Sequence, residues 1–157
     1  MISRVLVVYY SRSGNTEAMA KTIAEAIGKE GIEVDCRKVE DTGPDELLNC
    51  DGVVVGSPTY YGTMAYEVKK FLDESIKHHG KLDGKAGAAF SSSMSTGQET
   101  TVMSILEALL IHGMIIQGDP KGCHYGATSI ERPDEKGADV CRRFGKRFAE
   151  LVKRISV

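Results

Sequence analysis

Val5-Leu6-Val7-Val8-Tyr9-Tyr10-Ser11-Arg12-Ser13-Gly14-Asn15-Thr16 is the stretch that decides the fold. Its first half is apolar without alternation, which reads as a strand buried on both faces. A polar turn rich in hydroxyls follows at once. Then a helical pattern begins: Met19, Ile23 and Ile27 fall four apart, with Ala20 and Ala24 beside them. A buried strand that turns directly into an amphipathic helix is the first half of a parallel βαβ unit, whose crossover is right-handed.

The same grammar repeats down the chain. Residues 53–56, 86–91 and 114–117 read as further buried strands, and residues 33–38 alternate in the way an edge strand does. Helical stripes run through Val68, Phe71 and Leu72, then through Val102, Ile105, Leu106, Leu109 and Leu110. The last runs through Val140, Phe144, Phe148, Leu151, Val152 and Ile155. Gly28, Gly31 and Gly113 sit where helices should stop. The expected fold is α/β: one domain over residues 1–157, a flavodoxin-like three-layer α/β/α sandwich around a five-stranded parallel sheet of order 2-1-3-4-5. Such sheets bind ligands beyond the carboxyl ends of their strands, near the topological switch point. The loops after the first, third and fourth strands therefore carry the functional question.

Composition narrows the classes. A net charge of -2 gives no electrostatic case for nucleic acid or an anionic membrane surface. The four cysteines, Cys36, Cys50, Cys123 and Cys141, show neither a C-x-x-C pair nor zinc-ligand spacing. No apolar run approaches the roughly 18 residues of a membrane span. The expectation is a cytoplasmic protein with reduced thiols and no membrane insertion.

In the first loop, free backbone N–H groups and the positive end of the following helix make an anion site, and the hydroxyls add donors. A plain capped turn uses the same residue types. Other phosphate loops are excluded by missing parts: there is no G-x-x-x-x-G-K-[ST] and no G-x-G-x-x-G after the first strand. The phosphatase-like spacing from Cys141 to Arg147 falls inside the last helical stripe rather than on a loop.

Residues 10–16 resemble the FMN-phosphate loop of flavodoxins. Gly56-Ser57-Pro58-Thr59-Tyr60-Tyr61-Gly62, with Met64 beyond, resembles the loop beside the flavin ring. Ser91-Ser92-Ser93-Met94-Ser95-Thr96-Gly97-Gln98-Glu99 resembles the third flavin loop. With His112-Gly113-Met114 and Tyr125-Gly126-Ala127-Thr128, the pattern is similar to the tryptophan-repressor-binding-protein-like branch of that family. Members of that branch are FMN-dependent NAD(P)H:quinone oxidoreductases.

The resemblance implies FMN as cofactor. It implies that Ser11, Arg12, Ser13, Gly14, Asn15 and Thr16 hold the phosphate, and that Pro58, Thr59, Tyr60, Tyr61 and Gly62 wall the ring. It also implies that Ser91, Ser92, Ser93, Met94, Ser95 and Gly97 approach the flavin from the third side. For His112 it implies a catalytic place bordering the substrate pocket, while the position at a helix end also suits a protonated cap. The leading expectation is electron transfer from NAD(P)H to a quinone or similar acceptor; the alternative is one-electron exchange between redox protein partners without substrate turnover of its own. Assembly as a homo-oligomer, dimer or tetramer, is left open.

Overall fold

In the computed structural model, which describes residues 1–156, β1 (Arg4–Tyr9) leads into α1 (Asn15–Lys29), followed by β2 (Glu33–Lys38). β3 (Gly52–Tyr60) and β4 (Thr63–Met64) form a hairpin ahead of α2 (Tyr66–Glu74). Then come β5 (Ala86–Ser93), α3 (Gln98–Ile111), β6 (Ile115–Ile116), β7 (Thr128–Ile130) and α4 (Glu135–Ile155).

The parallel sheet runs β2-β1-β3-β5, and its fifth place is shared by two short strands. β6 pairs with Ala86 and Gly87 of β5, and β7 pairs with Ser91, Ser92 and Ser93. This is the expected 2-1-3-4-5 order with the last strand in two pieces. The strand expected over 114–117 contracts to Ile115–Ile116, and β7 is an addition. Between the two pieces Gly126 runs so close to β5 that a Cβ on it would stand 2.1 Å from the Ala89 carbonyl oxygen.

Period-two alternation assigns the layers. Val5, Val7 and Tyr9 of β1, with Ala86, Ala88 and Phe90 of β5, face α1 and α4. Leu6, Val8, Val53 and Val55 face α2 and α3. Phe90 packs over Gly56, where a Cβ would lie 2.0 Å from its ring. Gly145 brings α4 against α1, within 2.8 Å of Ala26 Cβ for an added methyl. Two details depart from expectation. α1 continues through Gly28 to Lys29, with Gly31 just past its end at φ +82°, and Leu110 lies outside the buried stripe of α3.

His112 is placed differently from its expected catalytic position. α3 starts at the carboxyl end of β5 and runs back along the sheet for 14 residues, about 21 Å at 1.5 Å per residue. His112 therefore lies at the opposite end of the sheet from the three loops. It is buried, with Nε2 2.7 Å from Ser75 Oγ. Ser75 donates its one hydroxyl proton to the Leu72 carbonyl at 2.6 Å, so His112 Nε2–H is the donor of the pair. Nδ1 has no partner. Burial first, then the neighbouring His79 and His78, hold the imidazole below its ordinary value, so it does not act as a charged cap. His78 is also buried, with Nε2 2.7 Å from Asp45 Oδ1.

The His112 environment sets a pH dependence. Below the ordinary imidazole value of about 6.5, the unfolded chain takes a proton that folded His112 refuses, so stability falls as pH drops through that window. Urea midpoints measured from about pH 8 to about pH 5 are expected to fall less in His112→Gln, whose amide can still donate to Ser75. An identical fall in both proteins would show that His112 is not the group responsible.

Candidate functional site

The chain end of β1 and the start of α1 form the first wall. Gly14 takes φ +94°, which lets the chain turn into the helix. Ser11 Oγ accepts the amides of Gly14 and Glu17 at 3.1 and 3.2 Å. Among the described residues, the amides of Ser13, Asn15 and Thr16 have no acceptor in the chain. Arg12 and Ser13 are exposed at the lip. The turn is capped and keeps free amides at the same time: a neutral hydroxyl occupies part of a cluster of amides at the positive end of a 15-residue helix.

The strand ends form the floor. The same alternation that sorts the core sorts the serines closing β5, which is strand through Ser93 rather than loop from Ser91. Ser92 turns toward α1, its hydroxyl 2.8 Å from that of Thr16. Ser91 turns the other way, 3.0 Å from Thr59 Oγ1, which also accepts from Thr101 at 3.0 Å. Ser93 donates to Gln98 Oε1 at 2.9 Å. These hydroxyls tie the floor together. The exposed part of the third loop is Met94, Ser95 and Thr96.

The second and third loops are pinned to each other. Tyr60 pairs with Thr63 across a two-residue turn in which Tyr61 has φ +51° and Gly62 +78°, the signs a type I′ hairpin requires. Tyr61 holds this left-handed conformation without being glycine, and its ring is wholly exposed. Thr100 Oγ1 reaches the carbonyls of both Gly62 (2.7 Å) and Gly97 (2.9 Å). Gly97, at φ +87°, packs so closely that a Cβ would come 2.9 Å from Thr59 Cγ2 and 3.4 Å from Gly62 Cα. At the hairpin base, Ser57 Oγ accepts the Ala65 amide at 2.8 Å. Tyr60 meets Tyr10 edge to face at 6.5 Å. Burial, then Glu67, raises the Tyr10 phenol above its ordinary value, which keeps it neutral.

The structure thus brings together residues 11–16, 58–62 and 91–97 and leaves His112 apart. It adds one segment that residue reading missed. β7 delivers Glu131 beside the third loop, its amide bonded to Ser93 O at 2.7 Å and its φ at +57°. Three residues are too few to show a strand period, which is why β7 escaped notice. The Cys141 thiol is pushed up to about 12 by burial, the reverse of what a nucleophilic cysteine needs.

These walls fit FMN. Orphaned amides suit a phosphate monoester, close-packed Gly62 and Gly97 let backbone approach a flat ring, and Tyr60, Tyr61 and Met94 supply apolar surface. Among the described residues no group of three His, Cys, Asp or Glu side chains is placed to hold a metal ion.

Comparison with known proteins agrees. The family model described as a flavodoxin domain matches residues 6–128. A flavodoxin of Aquifex aeolicus is 40% identical, covering 96% of this chain and 88% of its own. An NAD(P)H dehydrogenase (quinone) of Archaeoglobus fulgidus is 32% identical over 98% of this chain and 100% of its own. Among solved structures, a flavodoxin from the domain Archaea superposes with a TM-score of 0.81 at 33% identity, covering 96% of this chain and 99% of that one. A WrbA-like flavodoxin from Agrobacterium tumefaciens shares the fold, with a TM-score of 0.83 at 23% identity over 97% and 98% of the two chains. This chain belongs to the flavodoxin family, in the part of it where flavodoxins and NAD(P)H:quinone dehydrogenases are both near relatives.

Proposed function

We propose that this FMN redox protein works as an electron carrier, exchanging electrons with a redox protein docked over the exposed rim of Tyr61 and Met94. The observation that supports this reading is the isolation of His112. The one candidate proton donor for substrate chemistry lies a helix length from the loops, buried and bonded to Ser75. FMN, when bound, supplies the electron chemistry, and the chain's part is to bind, orient and tune it. The amides of Ser13, Asn15 and Thr16 hold the phosphate, with Arg12 adding charge at the lip. The Gly62–Gly97 contact sets the width of the ring slot.

A second reading, reduction of a quinone by NAD(P)H, is favoured by relatives that match over their whole length. In that case His112 has to come from a second copy of the chain, which makes a homo-oligomer part of the enzyme. No helix of the described residues is long and apolar enough to cross a membrane, and a reducing cytoplasmic setting suits the four free thiols.

Three outcomes test the proposal. FMN is expected to bind at least about 100-fold more tightly than riboflavin, because two or more charge-assisted bonds of roughly 1.5–3 kcal/mol each are lost with the phosphate. Equal affinities by flavin-fluorescence titration would remove the phosphate role of residues 11–16. Gly97→Val, with a branched side chain at positive φ against Thr59, should weaken FMN binding by about 1–3 kcal/mol, whereas Cys141→Ser should leave it unchanged. The carrier reading expects FMN-loaded protein to show negligible NADH or NADPH oxidation with benzoquinone, and reductive titration to resolve two one-electron steps. Rapid ping-pong turnover, lowered roughly 10²–10⁴-fold by His112→Ala, would establish the quinone reductase instead.

A further inference from the structure

The split fifth strand leaves a space that the flavin site does not use. β6 leaves β5 after Gly87 and β7 rejoins it at Ser91; between them residues 117–127 arch toward α4. Beneath the arch lies a cavity of about 110 Å3, walled by Ala88, Ala127, Val140, Phe144, Phe148 and Leu151. It shares no residue with the three loops. Its size is on the order of the ~150 Å3 apolar cavity that admits benzene in an engineered protein.

The mouth is polar and carries excess positive charge. Asp119, Lys121, Arg143 and Arg147 line it, three cations against one carboxylate, with Glu150 facing Arg143 from further along α4. Arg143 grips Asp119 through two bonds of 2.7 and 2.8 Å and holds its carboxyl down at about 2. Arg147 is less engaged. It donates one N–H to Gly118 O at 2.8 Å, and its Nε stands 3.5 Å from Asp119. A guanidinium has five N–H donors, so Arg147 retains the capacity to take a second carboxylate.

We propose that this cavity binds a small monoanion with a flat apolar body, of the class of monocyclic arene carboxylates, with the ring among Val140, Phe144 and Phe148 and the carboxylate on Arg147. A neutral arene leaves the cationic mouth unanswered, and a bare anion leaves the cavity empty. Only a molecule with both parts matches both features.

The test uses the FMN-loaded full chain and 4-fluorobenzoate. Fluorine line broadening should saturate, and amide shifts in a 1H–15N spectrum should concentrate in residues 117–127 and 140–151. The neutral 4-fluorobenzyl alcohol should bind about tenfold more weakly or worse, since a charge-assisted bond is lost. Val140→Phe should fill the cavity and abolish binding while FMN uptake is retained, and Arg147→Gln should erase the preference for the anion. The proposal is overturned by an absence of saturable binding, by equal affinity for the alcohol, or by shifts centred on residues 11–16, 57–62 and 94–97. Because the shift map is read on the native sequence, the outcome does not depend on any variant folding.

Discussion

A hydroxyl pair 76 residues apart in sequence, Thr16 and Ser92 at 2.8 Å, holds the start of α1 against the end of β5. Its counterpart on the other sheet face runs from Ser91 through Thr59 to Thr101. Between them these bonds decide where the first helix begins, how far the second loop stands from the third, and which amides are left over. The first is buried and the second partly so, and a buried hydroxyl that lost its partner would carry the cost of an unsatisfied polar group. The floor of the site is therefore part of the core. What is left for a ligand is backbone: the unpartnered amides of Ser13, Asn15 and Thr16 and glycine surfaces at Gly62 and Gly97.

This division explains why a chain of nearly balanced charge can hold an anionic cofactor. Fixed N–H dipoles at a helix start need no reorganisation and little formal charge. Arg12 adds a cation at the lip. The aromatic and thioether surfaces lie outside the floor, on the left-handed hairpin tip and on Met94, where they remain exposed. Rigid anchor and exposed rim are what electron exchange at a surface requires, and the distance to His112 removes the simplest route to proton-coupled turnover within one chain.

Much of this was legible in the residues. The unbroken apolar run at Val5–Tyr10, the four-residue spacing of Met19, Ile23 and Ile27, and the polar turn between them carried strand, turn and helix together. The three loops could be located because a parallel sheet gathers them at one end. Other features were not legible, for physical reasons. Whether Ser91–Ser93 are loop or strand depends on pairing with Pro58 and β7, which no local pattern records. His112 reads the same from sequence whether its helix ends near the loops or far from them; only the direction of α3 tells. Leu110 continues a stripe by composition but turns outward, while Leu109 before it and His112 after it are buried.

The free amides at the start of α1 are assigned the cofactor phosphate, which fixes how FMN lies across the three loops. That assignment is tested most directly by 1H–15N spectra of the protein saturated with FMN and, separately, with riboflavin. The two spectra are expected to differ chiefly at Ser11, Ser13, Asn15, Thr16 and Glu17, with Ser11 Oγ giving up its amides to phosphate oxygen. Matching spectra at those residues, or differences centred on another segment, would contradict it.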